Sequence, residues 1–436
     1  MRKGSDLLVA ALENEGVERI FGLPGEENLA VVESLRRSKI ELVLTRHEQA
    51  ASFMAATQGR LTGMPGVCLS TLGPGALNFT TGAAYAFLGA MPMIMITGQK
   101  AIKTARQARF QLVDIVGAMR PITKLTRQIV SADAIPSMVR DAFRVATEER
   151  PGPVHLELPE DIAEEDSAAA LIAPHSILRP IPSPDATRSA VALILAAKRP
   201  LIMIGAAGNR PRLVEALSDF VRQTQIPFFN TQMGKGAVTG NSELYLGTAA
   251  LSERDYIHEA IEHADLIIAI GHDTIEKPPF LMGASGGPKV VYVGYVSATV
   301  EQVFHPDAEV IGDIGATVAA LANALHQRVD AAAQFTKLRD DIREHLNERA
   351  EDDRFPVIPQ RLVHDVRKVM PEDGIICLDN GMNKIWLRAT TAPPSPIRCC
   401  STMRWRPWAR DFPPRFRRSA SIRTSACSRY AAMAAS

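Results

Sequence analysis

The chain has 436 residues, of which 46% are hydrophobic and 22% charged, and its formal net charge is +1. This composition suffices for two or three domains and argues against a strongly cationic nucleic-acid-binding or membrane-surface protein. The most apolar stretch, residues 88–97, contains Gly89 and Pro92 and is too short for a membrane span, so we interpret it as a buried strand. Because no long apolar leader follows Met1, we expect a cytoplasmic location. The near-neutral net charge predicts no nucleic-acid or membrane partner.

The N-terminal region alternates short apolar runs with helical runs. Strands are predicted at residues 19–21, 42–44, 66–71, 93–97 and 154–158. Turns rich in glycine and proline follow several of these strands. This alternation is typical of a parallel sheet that is covered by helices on both faces. Residues 167–185, which are rich in Ala and Pro, are predicted to form a linker.

A second α/β unit is predicted over residues 186–345. Its strands are expected at residues 201–205, 226–229, 266–271 and 290–293, and one long helix at about 315–349. The turn at residues 205–208 begins and ends with glycine, which is a weak indication of a phosphate-binding turn. A third unit, residues 355–390, begins with a helix and continues into a strand at residues 375–378.

Residues 391–436 have a different composition. They contain nine Arg, one acidic residue, Asp411, and no Lys. Three interpretations are a basic arm, a zinc site and a stretch translated out of frame. Adjacent Cys399 and Cys400, with no later His, do not match zinc-ligand spacing, and a basic arm would normally use Lys as well. We favour an irregular, out-of-frame tail, which sequencing of the DNA would test.

The most informative motif is residues 46–51, followed by the glycine turn at residues 72–78. Glu48 falls between a predicted strand and an Ala-rich helix, at the sheet edge where α/β proteins bind ligands. Beside Phe53 and Met54, its carboxylate would be partly desolvated and able to hold or pass a proton near neutral pH. The alternative is an ordinary first-turn acid that stabilises the helix N-terminus.

Six segments, in order, resemble the thiamine-diphosphate-dependent enzymes, and in particular the large subunit of acetolactate synthase. They are residues 21–25, 46–48, 73–75, 91–92 with 97–98, 110–111 with 114, and 150–154. The resemblance extends to about residue 387 and implies an α/β fold of three domains built on doubly wound parallel sheets. Residues 1–165 would be the thiamine-pyrimidine-binding domain, 186–345 the central domain, and 355–390 the start of a diphosphate-binding domain that is incomplete in this chain.

The resemblance also implies the roles of individual residues. Glu48 would hydrogen-bond the aminopyrimidine ring of thiamine diphosphate and promote proton removal from the thiazolium ring, and Gln111 would line the substrate pocket, which makes these two the catalytic candidates. The other implied cofactor-binding residues are Gly22, Pro24, Gly25, Gly73, Pro74, Gly75, Asn78, Asn380 and Gly381. Glycines suit such turns because backbone can approach a ligand closely where no Cβ intervenes.

The implied reaction is decarboxylation of pyruvate and transfer of the two-carbon unit to a second 2-keto acid. A homodimer or homotetramer is implied, with a regulatory subunit as a further possible partner. Two alternatives stay open. One is another carboligase or decarboxylase of the group, of glyoxylate or oxalate type; the other is a non-catalytic remnant that dimerises.

The resemblance leaves the metal and the flavin open. Relatives hold the diphosphate through Mg²⁺ bound to a Gly-Asp-Gly motif, and no such motif occurs in the 436 residues, so we predict no metal ligand here. Arg150 matches an arginine that contacts FAD in some relatives. By contrast, residues 272–276 and 294–295 differ from the flavin-binding pattern.

Several other reactive residue types are expected to be structural. His47 precedes the acid by one position and should point away from it. His155 and His272 have no partner at metal-ligand spacing, and Cys68 lies within a predicted strand.

Overall fold

The computed structural model describes residues 1–103, 109–175, 178–238, 243–249, 256–273, 287–300, 304–325, 329, 331–369, 376–378 and 399–401. These residues fall into two compact units that divide between residues 177 and 178, which we call the N-terminal unit and the central unit. Within the described ranges, no helix combines the length and apolar character needed to cross a membrane. Asn380 and Gly381 lie outside the described residues.

The N-terminal unit is built around one parallel sheet. Its strands are β1 (Arg2–Lys3), β2 (Arg19–Gly22), β3 (Glu41–Leu44), β4 (Gly66–Ser70), β5 (Met93–Gln99), β6 (Leu125–Gln128), β7 (Pro153–Pro159) and β8 (Asp166–Ser167). Its helices are α1 (Gly4–Asn14), α2 (Leu29–Arg36), α3 (Glu48–Thr62), α4 (Gly73–Leu77), α5 (Thr80–Leu88), α6 (Ile115–Met119), α7 (Ile135–Thr147) and α8 (Glu160–Ala163). Six strands pair in the order β3-β2-β4-β5-β7-β6, and β1 pairs with β8 in antiparallel orientation.

Burial explains the central strands of this sheet. Every residue of β4, β5 and β7 is buried, as expected for strands of a parallel sheet that is covered on both faces. Helices α1, α2 and α7 supply apolar side chains to the main core of the unit, including Leu8, Leu35 and Phe143. Helix α3 packs on β4 and α5, and it ends at Gly63, whose φ of +76° is the left-handed conformation common after helices.

The central unit repeats this architecture. Its strands are β9 (Pro200–Ile204), β10 (Phe228–Asn230), β11 (Tyr245–Thr248), β12 (Leu266–Ile270), β13 (Lys289–Gly294), β14 (Ala308–Ile311), β15 (Ile376–Leu378) and β16 (Cys399–Ser401). Its helices are α9 (Pro184–Ala196), α10 (Val214–Thr224), α11 (Tyr256–His263), α12 (Ile314–Ala324), α13 (Thr336–Asn347) and α14 (Pro359–Val369). The sheet order is β11-β10-β9-β12-β13-β14, all parallel, and β15 pairs in parallel with β16.

The prediction of doubly wound parallel α/β sheets is confirmed, and each strand predicted in the N-terminal region and the central unit occurs. The edge strands β6, β11 and β14 were not predicted, because they are short and mix polar with apolar residues. The apolar stretch at 88–97 is only partly strand, since Leu88 ends α5 and β5 begins at Met93. The glycine turn at residues 73–75 is the first turn of the short helix α4.

The prediction of a single long helix at about 315–349 is wrong. Helix α12 ends at Ala324, and a short 3₁₀ helix, Ala332–Phe335, precedes α13. Phe335 is 1% exposed and its ring meets that of His263 edge-on at 5.3 Å, so burying this side chain directs the chain between the helices. Strand β16 also lies in a region where no element was predicted.

Candidate functional site

The candidate site lies at the carboxyl edge of the N-terminal sheet. Strands β2, β3, β4 and β5 are neighbours and run parallel, so the segments that follow them meet at the same edge. These segments contain the turn at residues 22–25, Glu48, the helix start at 73–75, and Lys100.

Glu48 is the first residue of α3, and its side chain is half-buried. Its Oε2 accepts a hydrogen bond of 2.9 Å from Asn78 Nδ2, and no hydrogen-bond donor contacts Oε1 in the described part of the chain. The preceding His47 caps the helix, because its Nδ1 accepts the Gln49 N–H at 3.1 Å. His47 therefore stabilises the helix start, a role that was not predicted, and makes no hydrogen bond to the Glu48 carboxylate.

Helix α4 approaches Glu48 closely because it begins with glycines. A Cβ on Gly75 would lie 2.8 Å from Ser70 Oγ and 3.2 Å from Glu48 Oε1. Gly73 has φ +48°, and a Cβ there would lie 2.3 Å from the backbone oxygen of Gln111. Both positions thus require a residue without a Cβ.

The turn after β2 also depends on glycine. A Cβ on Gly22 would lie 2.3 Å from Leu69 O, and one on Gly25 would lie 2.5 Å from Thr71 Cβ. The Gly25 N–H donates to Asn28 Oδ1 at 2.9 Å, and Asn28 Nδ2 donates to the Leu23 carbonyl at 3.1 Å. The turn is therefore closed by a buried asparagine.

The remaining predicted site residues lie in more open positions. Pro24 and Pro74 are exposed at the same edge, and Asn78 is half-buried. Gln111 is exposed and has φ +56°, and it is its backbone that approaches Gly73.

Glu27, which was not predicted, is buried beside these turns with an exposed fraction of 7%. Its carboxylate accepts a hydrogen bond from the Thr71 hydroxyl and pairs with Lys100 Nζ at 2.7 Å. Burial alone would raise the pKa of Glu27, but the hydrogen bonds from Lys100 and Thr71 outweigh burial and lower it. The sequence offered only an acidic pair after a glycine turn as a signal.

Arg150 contacts helix α5. Its Nη1 donates to the Phe87 carbonyl at 2.6 Å, and its Nη2 donates to the Leu88 carbonyl. These carbonyls belong to the last turn of α5, where a cation interacts favourably with the helix dipole. The structure therefore gives Arg150 a helix-capping contact.

At the corresponding edge of the central sheet, backbone amides donate hydrogen bonds to carbonyls of the chain itself. The chain order reverses between β9 and β12, which is where open α/β sheets bind nucleotides. Three amides of the turn after β9 instead donate to carbonyls: Ala207 to Gly271 at 3.0 Å, Gly208 to Gly205 at 3.1 Å, and Asn209 to Ala206 at 3.1 Å. The expectation of a phosphate-binding turn at 205–208 is not supported, because these three amides are used.

Two buried histidines differ in their surroundings. His155 bridges the hydroxyls of Thr97 at 2.8 Å and Thr126 at 2.7 Å, and burial lowers its pKa to about 3. His272 follows β12, is 5% exposed, and neither ring nitrogen has a hydrogen-bond partner in the described ranges. Burial lowers its pKa to about 4. Both residues are neutral at pH 7, which fits the structural role expected for them.

Metal-ligating side chains do not form a cluster in the residues that the structure describes. Those residues contain no group of three or more His, Cys, Asp or Glu side chains arranged to hold a metal ion. Cys68 is fully buried in β4, and burial raises the pKa of its thiol well above the usual value. This thiol is therefore protonated at neutral pH.

Comparison with known proteins gives two family matches. Residues 2–118 match the family described as thiamine pyrophosphate enzyme, N-terminal TPP binding domain, and residues 187–321 match thiamine pyrophosphate enzyme, central domain. The first match contains four of the six strands of the N-terminal sheet, and the second contains all six strands of the central sheet.

Individual relatives agree. The chain is 30% identical over 396 residues to acetolactate synthase of Bacillus subtilis (strain 168), and 33% identical over 392 residues to the catabolic acetolactate synthase of Raoultella terrigena. Each alignment covers 88% of this chain, with 68% and 70% of the respective relative. Acetolactate synthase 3 of Brassica napus is 33% identical over 403 residues, or 61% of its length. The chain belongs to the thiamine-diphosphate-dependent enzymes and, within them, to the acetolactate synthase family.

Proposed function

We propose that this chain decarboxylates pyruvate and transfers the two-carbon unit to a second 2-keto acid, with thiamine diphosphate as cofactor. The observation that carries the proposal is the half-buried Glu48 carboxylate, held on one oxygen by Asn78 and flanked by glycine turns. The relatives are named acetolactate synthases, which supports this choice of substrates.

The residues present fit the pyrimidine half of the cofactor. Gly25, Gly73 and Gly75 lie in closely packed turns and contribute no side chain to them. Glu48 Oε1 has no hydrogen-bond partner in the described residues. When bound, thiamine diphosphate supplies a carbon nucleophile and an electron sink for decarboxylation. In this chain Glu48 Oε1 would hold a proton for the aminopyrimidine ring of the cofactor, and Asn78, which binds Oε2, would orient the carboxyl group.

Purified full-length chain should form acetolactate from pyruvate when thiamine diphosphate and Mg²⁺ are added. Binding of thiamine diphosphate, measured separately by calorimetry, distinguishes the alternatives. Binding without acetolactate formation would favour another carboligase or decarboxylase, which assays with glyoxylate or oxalate derivatives would identify. Absence of both would contradict the proposal.

A second candidate, a non-catalytic dimerising chain, is favoured by one sequence observation. Anionic phosphates are usually held in enzymes through a divalent cation and protein carboxylates, and no Gly-Asp-Gly motif occurs in these 436 residues. This candidate predicts a folded oligomer that does not bind thiamine diphosphate at millimolar concentration with Mg²⁺.

We propose further that the chain works without FAD. Arg150 is engaged by the end of α5, and the amides at 207–209 are engaged by protein carbonyls. The purified protein should therefore be colourless, with no flavin absorbance near 450 nm. A stoichiometric yellow flavin that survives gel filtration would overturn this point.

We also propose that the chain assembles as a dimer or tetramer. Large apolar side chains are exposed near the candidate site: Leu29 is 54%, Leu44 is 67% and Phe110 is 72% exposed. A second subunit that covers them would also complete the site. Light scattering after gel filtration would measure the mass, and a monomer at micromolar concentration would contradict the assembly.

A further inference from the structure

The ion pair between Glu27 and Lys100 lies outside the Glu48 contacts described above, yet joins the same turns. Glu27 follows β2, Thr71 follows β4, and Lys100 follows β5. The Glu27 carboxylate accepts from the Thr71 hydroxyl on one oxygen and contacts Lys100 Nζ on the other at 2.7 Å. We call these three residues the Thr71–Glu27–Lys100 bridge.

The bridge is anchored from the core side. A Cβ on Gly98 would lie 2.8 Å from the Glu27 carbonyl, so glycine lets Glu27 lie against the end of β5. The Lys100 N–H donates to Gln99 Oε1 at 3.0 Å, and Gln99 Nε2 donates to Glu157 Oε2 at 3.0 Å. Glu157 is 2% exposed, so the lysine end of the bridge begins from a fixed position in the core.

The bridge also contacts both glycine turns of the candidate site. Cβ atoms added to Gly25 and Gly75 would lie 2.5 Å from Thr71 Cβ and 2.9 Å from Thr71 Cγ2, so Thr71 stands between the two turns. Gly75 in turn lies beside Glu48 Oε1. A shift of Thr71 would therefore move both glycine turns and the surface beside Glu48.

We propose that the Thr71–Glu27–Lys100 bridge fixes the two glycine turns around Glu48, which makes Glu27 and Lys100 positioning residues for thiamine diphosphate. The inference rests on the proposed function, since it assigns the same site to the same cofactor. Neither residue acts on substrate. Their effect is to keep residues 22–25 and 73–75 at the spacing the pyrimidine ring requires.

A purely structural ion pair offers a matched control in the same unit. Arg140 Nη1 pairs with Glu15 Oε2 at 2.6 Å between α7 and α1, and the two side chains are 15% and 4% exposed. Breaking this pair also leaves a buried carboxylate without its cation, but neither partner lies in a segment at the carboxyl edge.

The experiment compares Lys100→Met, Lys100→Arg and Arg140→Met with the unaltered chain. Thiamine diphosphate with Mg²⁺ is titrated by calorimetry, and amide hydrogen exchange is measured without cofactor at residues 22–28 and 71–78. Lys100→Met should weaken binding about tenfold and speed exchange in both turns, since a 1.4 kcal/mol loss is tenfold. Lys100→Arg keeps the cation, so its cofactor binding and exchange rates should match those of the unaltered chain. Arg140→Met should lower only the melting temperature.

Unchanged exchange in Lys100→Met would overturn the inference, and so would equal changes in Arg140→Met, which would indicate a general loss of stability. If the unaltered chain does not bind thiamine diphosphate, the proposed function fails. In that case the exchange comparison alone still decides whether the bridge fixes the turns.

Discussion

The two sheets of this chain have the same construction and different carboxyl edges. Each has six parallel strands, and the strand order reverses between β2 and β4 in the N-terminal unit and between β9 and β12 in the central unit. At the first edge, a carboxylate oxygen of Glu48 has no partner among the described residues; at the second, the amides at 207–209 bond to protein carbonyls. The fold provides a place for a ligand, and the local residues decide whether it is used.

The largest expected effect tests the chemistry assigned to the first edge. Glu48→Gln keeps the shape of the side chain and an oxygen that can accept from Asn78, but removes the acid. Acetolactate formation should fall at least about a hundredfold, because a positioned acid or base contributes on that scale.

Steady-state assays with pyruvate, together with thermal unfolding, would check this prediction. The melting temperature should change little, because the carboxyl group is only half-buried. The control is Glu41→Gln, which changes an exposed residue of β3 and should retain activity. A folded Glu48→Gln variant with full activity would refute the role of the acid.

The buried histidines give the next largest effect and compare the two units directly. His155→Phe breaks the hydrogen bonds to Thr97 and Thr126, so we expect a loss of about 2–4 kcal/mol in the free energy of unfolding. His272→Phe breaks no hydrogen bond among the described residues and can keep the ring contact with Phe304, so its loss should be under about 1 kcal/mol. Denaturant titration at pH 7.5 would measure both, and equal losses would contradict the contrast.

The same histidines predict acid sensitivity. Burial lowers the pKa of His155 to about 3 and that of His272 to about 4, so both stay neutral in the folded chain while the unfolded chain takes up protons below about pH 6.5. Their contribution to stability is thus complete above about pH 6.5 and is lost as the pH falls, at up to about 1.4 kcal/mol per pH unit for each residue. Each Phe variant should show a shallower decline between pH 6.5 and 4.5.

Substitutions at two glycines distinguish a loss of stability from a loss of cofactor binding. In Gly75→Ala the new Cβ meets Ser70 Oγ at 2.8 Å, and in Gly205→Ala it meets Gly271 O at 2.5 Å. Each should destabilise its unit by about 1–3 kcal/mol, because overpacking forces backbone or side chains to shift. Only Gly75→Ala should also weaken thiamine diphosphate binding. Calorimetric titration of both variants would show this, and a matching loss in Gly205→Ala would assign a ligand to the central edge.

The sequence predicted regular, apolar elements well and irregular ones poorly. Strands β5, β7 and β12 are rich in apolar residues and were expected at nearly their observed positions. The edge strand β6 has the sequence LTRQ, which carries too few apolar residues to be distinguished from a loop. The break before α13 depends on tertiary burial of Phe335, which no local pattern contains.

The same distinction applies to the candidate site. Glu48 and the glycine turns form short motifs, so their resemblance to a family was visible along the chain. The Thr71–Glu27–Lys100 bridge joins three segments that follow different strands, and only the sheet order brings them together. Nothing in the spacing of these three residues indicates that they touch.

The smallest expected effect isolates the helix start from the acid it carries. His47→Ala removes the side chain that accepts the Gln49 N–H at 3.1 Å, so the first turn of α3 loses its cap. The free energy of unfolding should fall by about 0.5–1 kcal/mol, as for other N-cap losses, and His47→Asn should restore it. Activity should stay within about twofold in both variants, because Asn78 still holds the Glu48 carboxylate. A large loss of activity in His47→Asn, with stability restored, would instead make His47 part of the reaction.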